Sequence, residues 1–413
     1  MYPRRCPETQ RLPPLYRSGQ NPISIHVSVE YDTSQKSSGS SGVMNNRPSL
    51  TPLVESLPAT VPFVGPETQE RNRGRPFRAR IGANESGFGP SPRVIEAIRN
   101  AAPDVWMYGD PENHELRAAL AQHHGVAPEN IAIGEGIDAL LGLIVRMYIE
   151  PGAPVVVSLG GYPTFNFHVA GFGGRFVNVP YDGDLENLQG LLEATIRENA
   201  PLVYLANPDN PMATWWDAAD VTRFIEALPE TSMLILDEAY CEFAPTSAIP
   251  PIDVSRPNVL RMRTFSKAYG MAGMRCGYAI GEASAIAPFD KIRNHFGMTR
   301  LTQVAALEAL RDQQYLQSVV DQVAAARDRI GRIAASHGLT TLPSATNFVA
   351  LDCGADGAFA MRVLQELGHR DVFVRKPIGP HHDRCIRVSV GPEAEMDLFE
   401  SAFAEALGAA RKG

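Results

Sequence analysis

A chain of 413 residues with 44% apolar residues and a net charge of −8 is long enough to bury a large core and too acidic for a nucleic-acid surface. Its five cysteines, Cys6, Cys241, Cys276, Cys353 and Cys385, are odd in number, scattered and free of C-x-x-C spacing, which argues against a disulfide framework or a zinc site and for a reducing cytoplasm. No apolar run approaches the roughly 20 residues that span a bilayer, and Arg4-Arg5 is not followed by the apolar stretch of an export signal.

Residues 1–75 are rich in Pro, Ser, Asn and Gln without a sustained apolar period, and read as a disordered or arm-like N-terminal extension. Within it, Ser37-Ser38-Gly39-Ser40-Ser41-Gly42 has linker composition, while Leu53, Val54, Leu57, Val61 and Phe63 could drape an arm over the body. Ala83-Asn84-Glu85-Ser86-Gly87-Phe88-Gly89-Pro90-Ser91-Pro92 is a turn-rich entry to a helix carrying Val94, Ile95 and Ile98. Trp106-Met107-Tyr108-Gly109-Asp110-Pro111 is a second turn, leading into a helix over 115–124. A short strand, Ile131-Ala132-Ile133, runs through Gly134-Glu135-Gly136 into an apolar-periodic helix, whose free N–H groups and positive dipole end suit a phosphate.

Alternation of strand and helix follows. Val155-Val156-Val157, Leu202-Val203-Tyr204-Leu205-Ala206 and Met233-Leu234-Ile235-Leu236 are near-continuous apolar runs, the pattern of parallel strands buried on both faces. Right-handed crossovers then place ligands at the carboxyl ends of the strands. Asn207, Asp237 and Lys267 each lie just past such a strand, 30 residues apart. Gly171-Phe172-Gly173-Gly174 does not fit the dinucleotide pattern G-x-G-x-x-G. Beyond Gly281 the pattern changes to long helices and to strand-like segments holding Arg375 and Arg387.

The chemistry concentrates in Arg263-Thr264-Phe265-Ser266-Lys267-Ala268-Tyr269-Gly270-Met271-Ala272-Gly273-Met274-Arg275. A lysine amine in a partly desolvated pocket becomes a nucleophile toward an aldehyde and forms a Schiff base. Thr264, Ser266 and Arg275 add hydroxyl donors and a guanidinium fork, which hold a phosphate. An aldehyde with a phosphate is pyridoxal 5′-phosphate. An Asp beside the pyridine nitrogen keeps the ring an electron acceptor, and an Asn amide with a Tyr hydroxyl can bond the phenolate oxygen; Asp237, Asn207 and Tyr240 supply these types.

This segment, with the ordered set Asn207, Asp237, Tyr240, Lys267 and Arg275, closely resembles fold-type I pyridoxal-phosphate enzymes, in particular the histidinol-phosphate aminotransferase branch of the class I/II aminotransferases. The resemblance covers about 80–410. It implies an α/β fold with a large, mostly parallel sheet domain over 103–292 and a small α/β domain from 76–102 together with 293–413. It implies a phosphate cup at Gly134, Glu135 and Gly136, acting mainly through backbone, an aromatic at Phe165 stacked on the pyridine ring, and a homodimer in which Tyr108 reaches the neighbour's cofactor phosphate. Asn84 falls near the substrate mouth. Arg387 grips the substrate's anionic group, with Arg375 assisting where that group is a phosphate.

The implied activity is ping-pong transfer of an amino group from an amino acid or related amine to a 2-oxo acid, 2-oxoglutarate by expectation, through Lys267. Gly109 stands where the family has a proline, and two further departures bear on the substrate: Ser86-Gly87 for Asn-Pro, and Met212-Ala213 for Thr-Gly, followed by Trp215-Trp216. These two point to an amino-acid or amino-phosphate donor in preference to histidinol phosphate specifically. Threonine-phosphate decarboxylation is the rival enzyme reading. A regulator with an aminotransferase-like ligand domain would need an upstream helix-turn-helix, which 1–75 lacks in pattern.

Overall fold

The computed structural model describes residues 48–59 and 64–412; the linker-like Ser37–Gly42, Cys6, Val61 and Phe63 lie outside them. Strands follow in chain order as β1 (Ala79–Arg80), β2 (Ile131–Gly134), β3 (Pro154–Ser158), β4 (Arg175–Val179), β5 (Leu202–Ala206), β6 (Met233–Asp237), β7 (Val259–Thr264), β8 (Gly277–Ile280), β9 (Thr340–Thr341), β10 (Phe348–Asp352), β11 (Val372–Phe373) and β12 (Cys385–Ser389). Seven of them form one sheet in the order β2-β8-β7-β6-β5-β3-β4. Its pairings β7-β6-β5-β3-β4 are parallel, and β8 runs antiparallel to both β2 and β7. Every residue of β5 and β6 is buried, as their unbroken apolar sequences require of strands covered on both faces.

The central sheet lies wholly within 131–280. Two smaller sheets, β12-β10-β9 and β1-β11, are built by residues outside that span. The long helix Gln313–Ser336 buries Leu316, Val319, Val323, Ile330 and Ile333, a stripe at helical spacing that packs beside β9 and β10. Among the described residues, no helix is long and apolar enough to cross a membrane.

Two charged side chains sit inside the central strand β7. Arg261 and Arg263 lie on β7, and both converge on the fully buried Glu238: Arg261 Nε donates to Oε2 at 3.0 Å and Arg263 Nε to the same oxygen at 2.9 Å. Two backbone carbonyls, of Pro250 and Pro251, take further Arg261 protons, each at 2.7 Å. Burial works to raise the Glu238 carboxyl, but the two guanidiniums outweigh it and hold the group below its ordinary range.

The N-terminal segment differs from its composition. Pro52–Ser56 and Pro66–Arg73 are helical. The second has no apolar face; Pro66 opens it, Gly74 closes it at φ 73°, and Arg73 ion-pairs with Asp371 to tie it to the body. The four described cysteines, Cys241, Cys276, Cys353 and Cys385, are free and buried.

Candidate active site

Because β5, β6 and β7 are parallel and in register, the residues after them share one edge of the sheet. Past β7 the chain folds back on itself, Phe265 N–H donating to Cys276 O at 3.0 Å and Gly270 N–H to Lys267 O at 3.0 Å. Gly270 sits at φ +68°, and a Cβ there would lie 2.3 Å from the Gly89 carbonyl oxygen. Only glycine lets the 89–90 segment close against this turn.

Lys267 Nζ donates to Asn84 O at 3.1 Å and lies 5.6 Å from the centre of the Tyr240 ring. Asn84, at φ 56° and buried, donates from Nδ2 to Tyr240 Oη at 2.9 Å and accepts Ser389 Oγ at 3.2 Å. Its carbonyl is fixed from behind by Asn347 Nδ2 at 3.1 Å. Burial, and then the charge of Arg387, lower Lys267 to about 8. A half-buried amine poised there is a nucleophile and a proton acceptor near neutral pH.

Asp237, at the end of β6, accepts Tyr204 Oη at 2.6 Å and Ala239 N at 3.0 Å. Burial raises it to about 6, partly opposed by those two bonds. It is therefore an anion at neutral pH in a dry setting, the state in which a carboxylate best supports a protonated ring nitrogen.

The phosphate-sized end lies where the helix Gly136–Tyr148 begins. Gly136 has φ +82°, and a Cβ there would meet Arg275 Nη2 at 2.4 Å, so the helix start lies against the guanidinium. Arg275 Nη1 reaches Ser266 Oγ at 3.5 Å, and Thr264 Oγ1 donates to Ser266 Oγ at 3.0 Å. Free helix N–H groups, a hydroxyl and a guanidinium converge there, a donor set that fits a phosphate dianion. Asp138 borders it, accepting Tyr162 Oη at 2.7 Å.

Arg387 and Arg375 face each other across an antiparallel bridge, Arg387 N–H donating to Arg375 O at 2.6 Å. Arg387 Nη1 donates to Asn210 Oδ1 at 2.7 Å, and its guanidinium lies 5.2 Å from the Phe348 ring centre. Arg375 donates to Val64 O. Burial and the neighbouring Arg387 lower Arg375 to about 10. The two arginines are thus paired through their backbones, and Arg387 lies close enough to Lys267 for its charge to act on the amine.

The model of the family described as aminotransferase class I and II matches residues 80–403. The chain belongs to that family. It is an aminotransferase. A histidinol-phosphate aminotransferase from Roseiflexus castenholzii is 36% identical over 368 residues, 86% of this chain and 97% of that protein. One from Anaeromyxobacter sp. is 32% identical over 369 residues, covering 88% of this chain and all of that protein. The crystal structure of the histidinol-phosphate aminotransferase from Sinorhizobium meliloti in complex with pyridoxal 5′-phosphate is 58% identical, with a TM-score of 0.86 over 89% of this chain and 100% of that one. The fold of the aminotransferase is accordingly fold type I.

Two of the expected residues are engaged with other groups in this structure. Asn207 does not reach the lysine's cluster: its amide donates to Trp216 O at 3.1 Å and Ala248 O at 2.9 Å and accepts Trp216 N at 2.8 Å, so it is spent on holding its own loop. Asn210, three residues on, is the asparagine that meets Arg387. Phe165 is fully buried and stacked on Tyr204, ring centres 4.7 Å apart, beneath the edge it was expected to line. Tyr162 bonds Asp138 and is close enough to Asp237 for that charge to raise its hydroxyl, after burial and Asp138.

The remaining expected residues divide by position. Gly134 backs onto Leu140, and Glu135 directs its carboxylate toward Gly297. Tyr108 stands apart, 76% exposed, its ring 4.8 Å from that of Phe296 in a patch with the exposed Val105 and Trp106. Sequence reasoning passed over Asp138, Tyr162, Tyr204, Asn210, Asn347 and Ser389. For Asn210 the signal was present, a second asparagine in the same Asn207–Pro211 turn.

Proposed function

We propose that the aminotransferase takes its amino group from histidinol phosphate and passes it to 2-oxoglutarate, using pyridoxal 5′-phosphate attached at Lys267. The observation that carries the donor is the backbone bridge between Arg375 and Arg387, which pairs two arginines closely enough for the charge of Arg387 to lower Arg375, where an α-carboxylate alone would need one. The names of the relatives support it, and they weigh against phosphothreonine decarboxylation. They also weigh against reading Ser86-Gly87 and Met212-Ala213 as signs of a different donor.

When bound, the cofactor supplies an electron sink for the carbanion at the donor's Cα. The chain supplies the rest. Gly136, Ser266 and Arg275, with Thr264 behind Ser266, hold the phosphate; Asp237, itself fixed by Tyr204, holds a proton at the ring nitrogen; and Tyr240 with Asn84 borders the phenolate side. Tyr162, rather than Phe165, presents an aromatic face. Lys267 Nζ takes the proton from Cα, for which its lowered basicity suits it. Arg387, steadied by Asn210, and Arg375 hold the phosphate of the donor.

The active unit in this reading is a cytoplasmic homodimer, with residues 103–292 as the large domain and 76–102 plus 293–413 as the small one. The exposed Val105, Trp106, Tyr108 and Phe296 form an apolar face suited to a two-fold partner, with Tyr108 reaching the neighbour's cofactor phosphate. Mixing inactive Lys267→Ala chains with inactive Tyr108→Ala chains should restore activity through hybrid dimers that contain one intact site. Failure after verified subunit exchange would place Tyr108 outside its neighbour's site.

The donor is tested by assaying histidinol phosphate, phenylalanine, aspartate and phosphothreonine with 2-oxoglutarate, scoring keto product, glutamate and released carbon dioxide. Histidinol phosphate should give the highest kcat/KM without carbon dioxide. A higher value for any unphosphorylated amino acid would overturn the assignment.

A further inference from the structure

The loop that carries Asn210 rests on two buried carboxyls that the chemistry above leaves unused. Glu186 and Asp209 are each 2% exposed. Asp209 accepts Tyr181 Oη at 3.0 Å and Met212 N at 2.9 Å, while its own N–H donates to Thr214 O at 2.8 Å. Glu186 Oε2 accepts Ala206 N at 3.3 Å, but its Oε1 is buried and receives no N–H or O–H. What Glu186 faces is the Asp209 carboxyl, within hydrogen-bonding range. Two acceptors buried against each other are stable only with a proton between them.

The surroundings decide which carboxyl keeps that proton. Around Glu186 stand Asp209, Asp237, Tyr181 and Tyr204, none of them a cation. Asp209 has two donors of its own and lies in the field of Arg387 and Tyr240. On the outer side, His382 packs edge-on against Tyr181, ring centres 4.3 Å apart, and Asp184 is neutralised by Arg384 at 2.9 Å. The negative charge therefore belongs on Asp209 and the proton on Glu186.

We propose that Glu186 stays protonated at neutral pH and donates to Asp209, and that this bond positions Asn210 beneath the Arg387 fork. Glu186 and Asp209 are positioning residues: neither touches the donor. With Glu186, Tyr181 and Met212 N all donating to it, the Asp209 carboxylate fixes the turn from which Asn210 Oδ1 meets Arg387 at 2.7 Å. Burial, and then the Asp209 charge, raise Glu186 well above its ordinary range, in the same direction. The positioning half rests on Arg387 as the grip on the donor's anion; the protonation half does not.

The experiment has two arms on the holoenzyme. In infrared difference spectra at neutral pH, wild type minus Glu186→Gln should show the carbonyl stretch of a protonated carboxylic acid; no such band would overturn the proposal whatever Arg387 does. In steady-state assays, Glu186→Gln, whose amide N–H still donates, should keep KM for histidinol phosphate within about threefold, whereas Glu186→Ala should raise it about tenfold, one hydrogen bond's worth, with kcat little changed. Equal KM for the Gln and Ala variants would overturn the positioning role. Should Glu186→Ala fail to fold, Tyr181→Phe removes another donor to the same carboxylate and should raise KM in the same way. As a control, Arg387→Ala with unchanged KM would refute the reading of Arg387 and with it the positioning half, while the infrared band would still decide the proton.

Discussion

Replacing Lys267 by alanine should remove covalent attachment of pyridoxal phosphate and lower turnover by more than about 10²–10⁴-fold, the range that loss of positioned proton transfer alone accounts for. Two functions depend on one amine, the imine linkage and the proton at Cα, so their losses coincide. The buried setting that makes the amine reactive also predicts a pH dependence. Burial and Arg387 disfavour the ammonium, so the neutral amine gains population as pH rises through about 8, and the rate of attachment to the apoenzyme should rise over the same interval. Borohydride reduction followed by peptide mapping reads both effects. A label on another lysine, or unchanged labelling of the Lys267→Ala protein, would refute the assignment.

How much of this was legible in the sequence depends on how local each cause is. Asp237 and Lys267 could be read because each ends a strand whose apolar residues are unbroken, and parallel strands in register must bring their ends together. Asn207 and Asn210 could not be told apart, because both lie in one turn and the choice is made by Trp216 and Ala248, which capture the first. Tyr162 and Phe165 flank the start of one helix; Tyr162 stays outside its first turn and faces the edge, while Phe165 turns inward to Tyr204.

Long-range electrostatics were the other blind spot. Arg261 and Arg263 look out of place on a central strand, and Glu238, buried and bonded to both, with the Pro250 and Pro251 carbonyls on Arg261, makes them tolerable there. The helix Pro66–Arg73 has no apolar stripe to announce it; a glycine C-cap and ion pairs of Arg73 with the distant Asp371 and of Glu67 with Arg80 hold it, and no periodicity in the sequence encodes these. The same holds for Glu186 and Asp209, whose meeting follows from loop closure rather than spacing.

The arginine pair gives the second large effect. Arg387 is half-buried, its ordinary basicity lowered first by burial, and its fork is held by Asn210 and set over Phe348. A cation kept in so dry a place is costly unless an anion joins it, so removing it should hurt any anionic donor. Arg387→Ala should lower kcat/KM for the best donor by about 2–5 kcal/mol, roughly 30-fold to several thousand-fold. Arg375 separates the donor classes. If the donor carries a phosphate, Arg375→Ala should cost a comparable amount, because a dianion is shared between two guanidiniums; for an α-carboxylate donor Arg387 alone would suffice and the Arg375 variant would be nearly silent. Measuring both variants on histidinol phosphate and on phenylalanine sets the two outcomes apart. Wild-type kcat/KM in the Arg387 variant on its best anionic donor would remove Arg387 from the site.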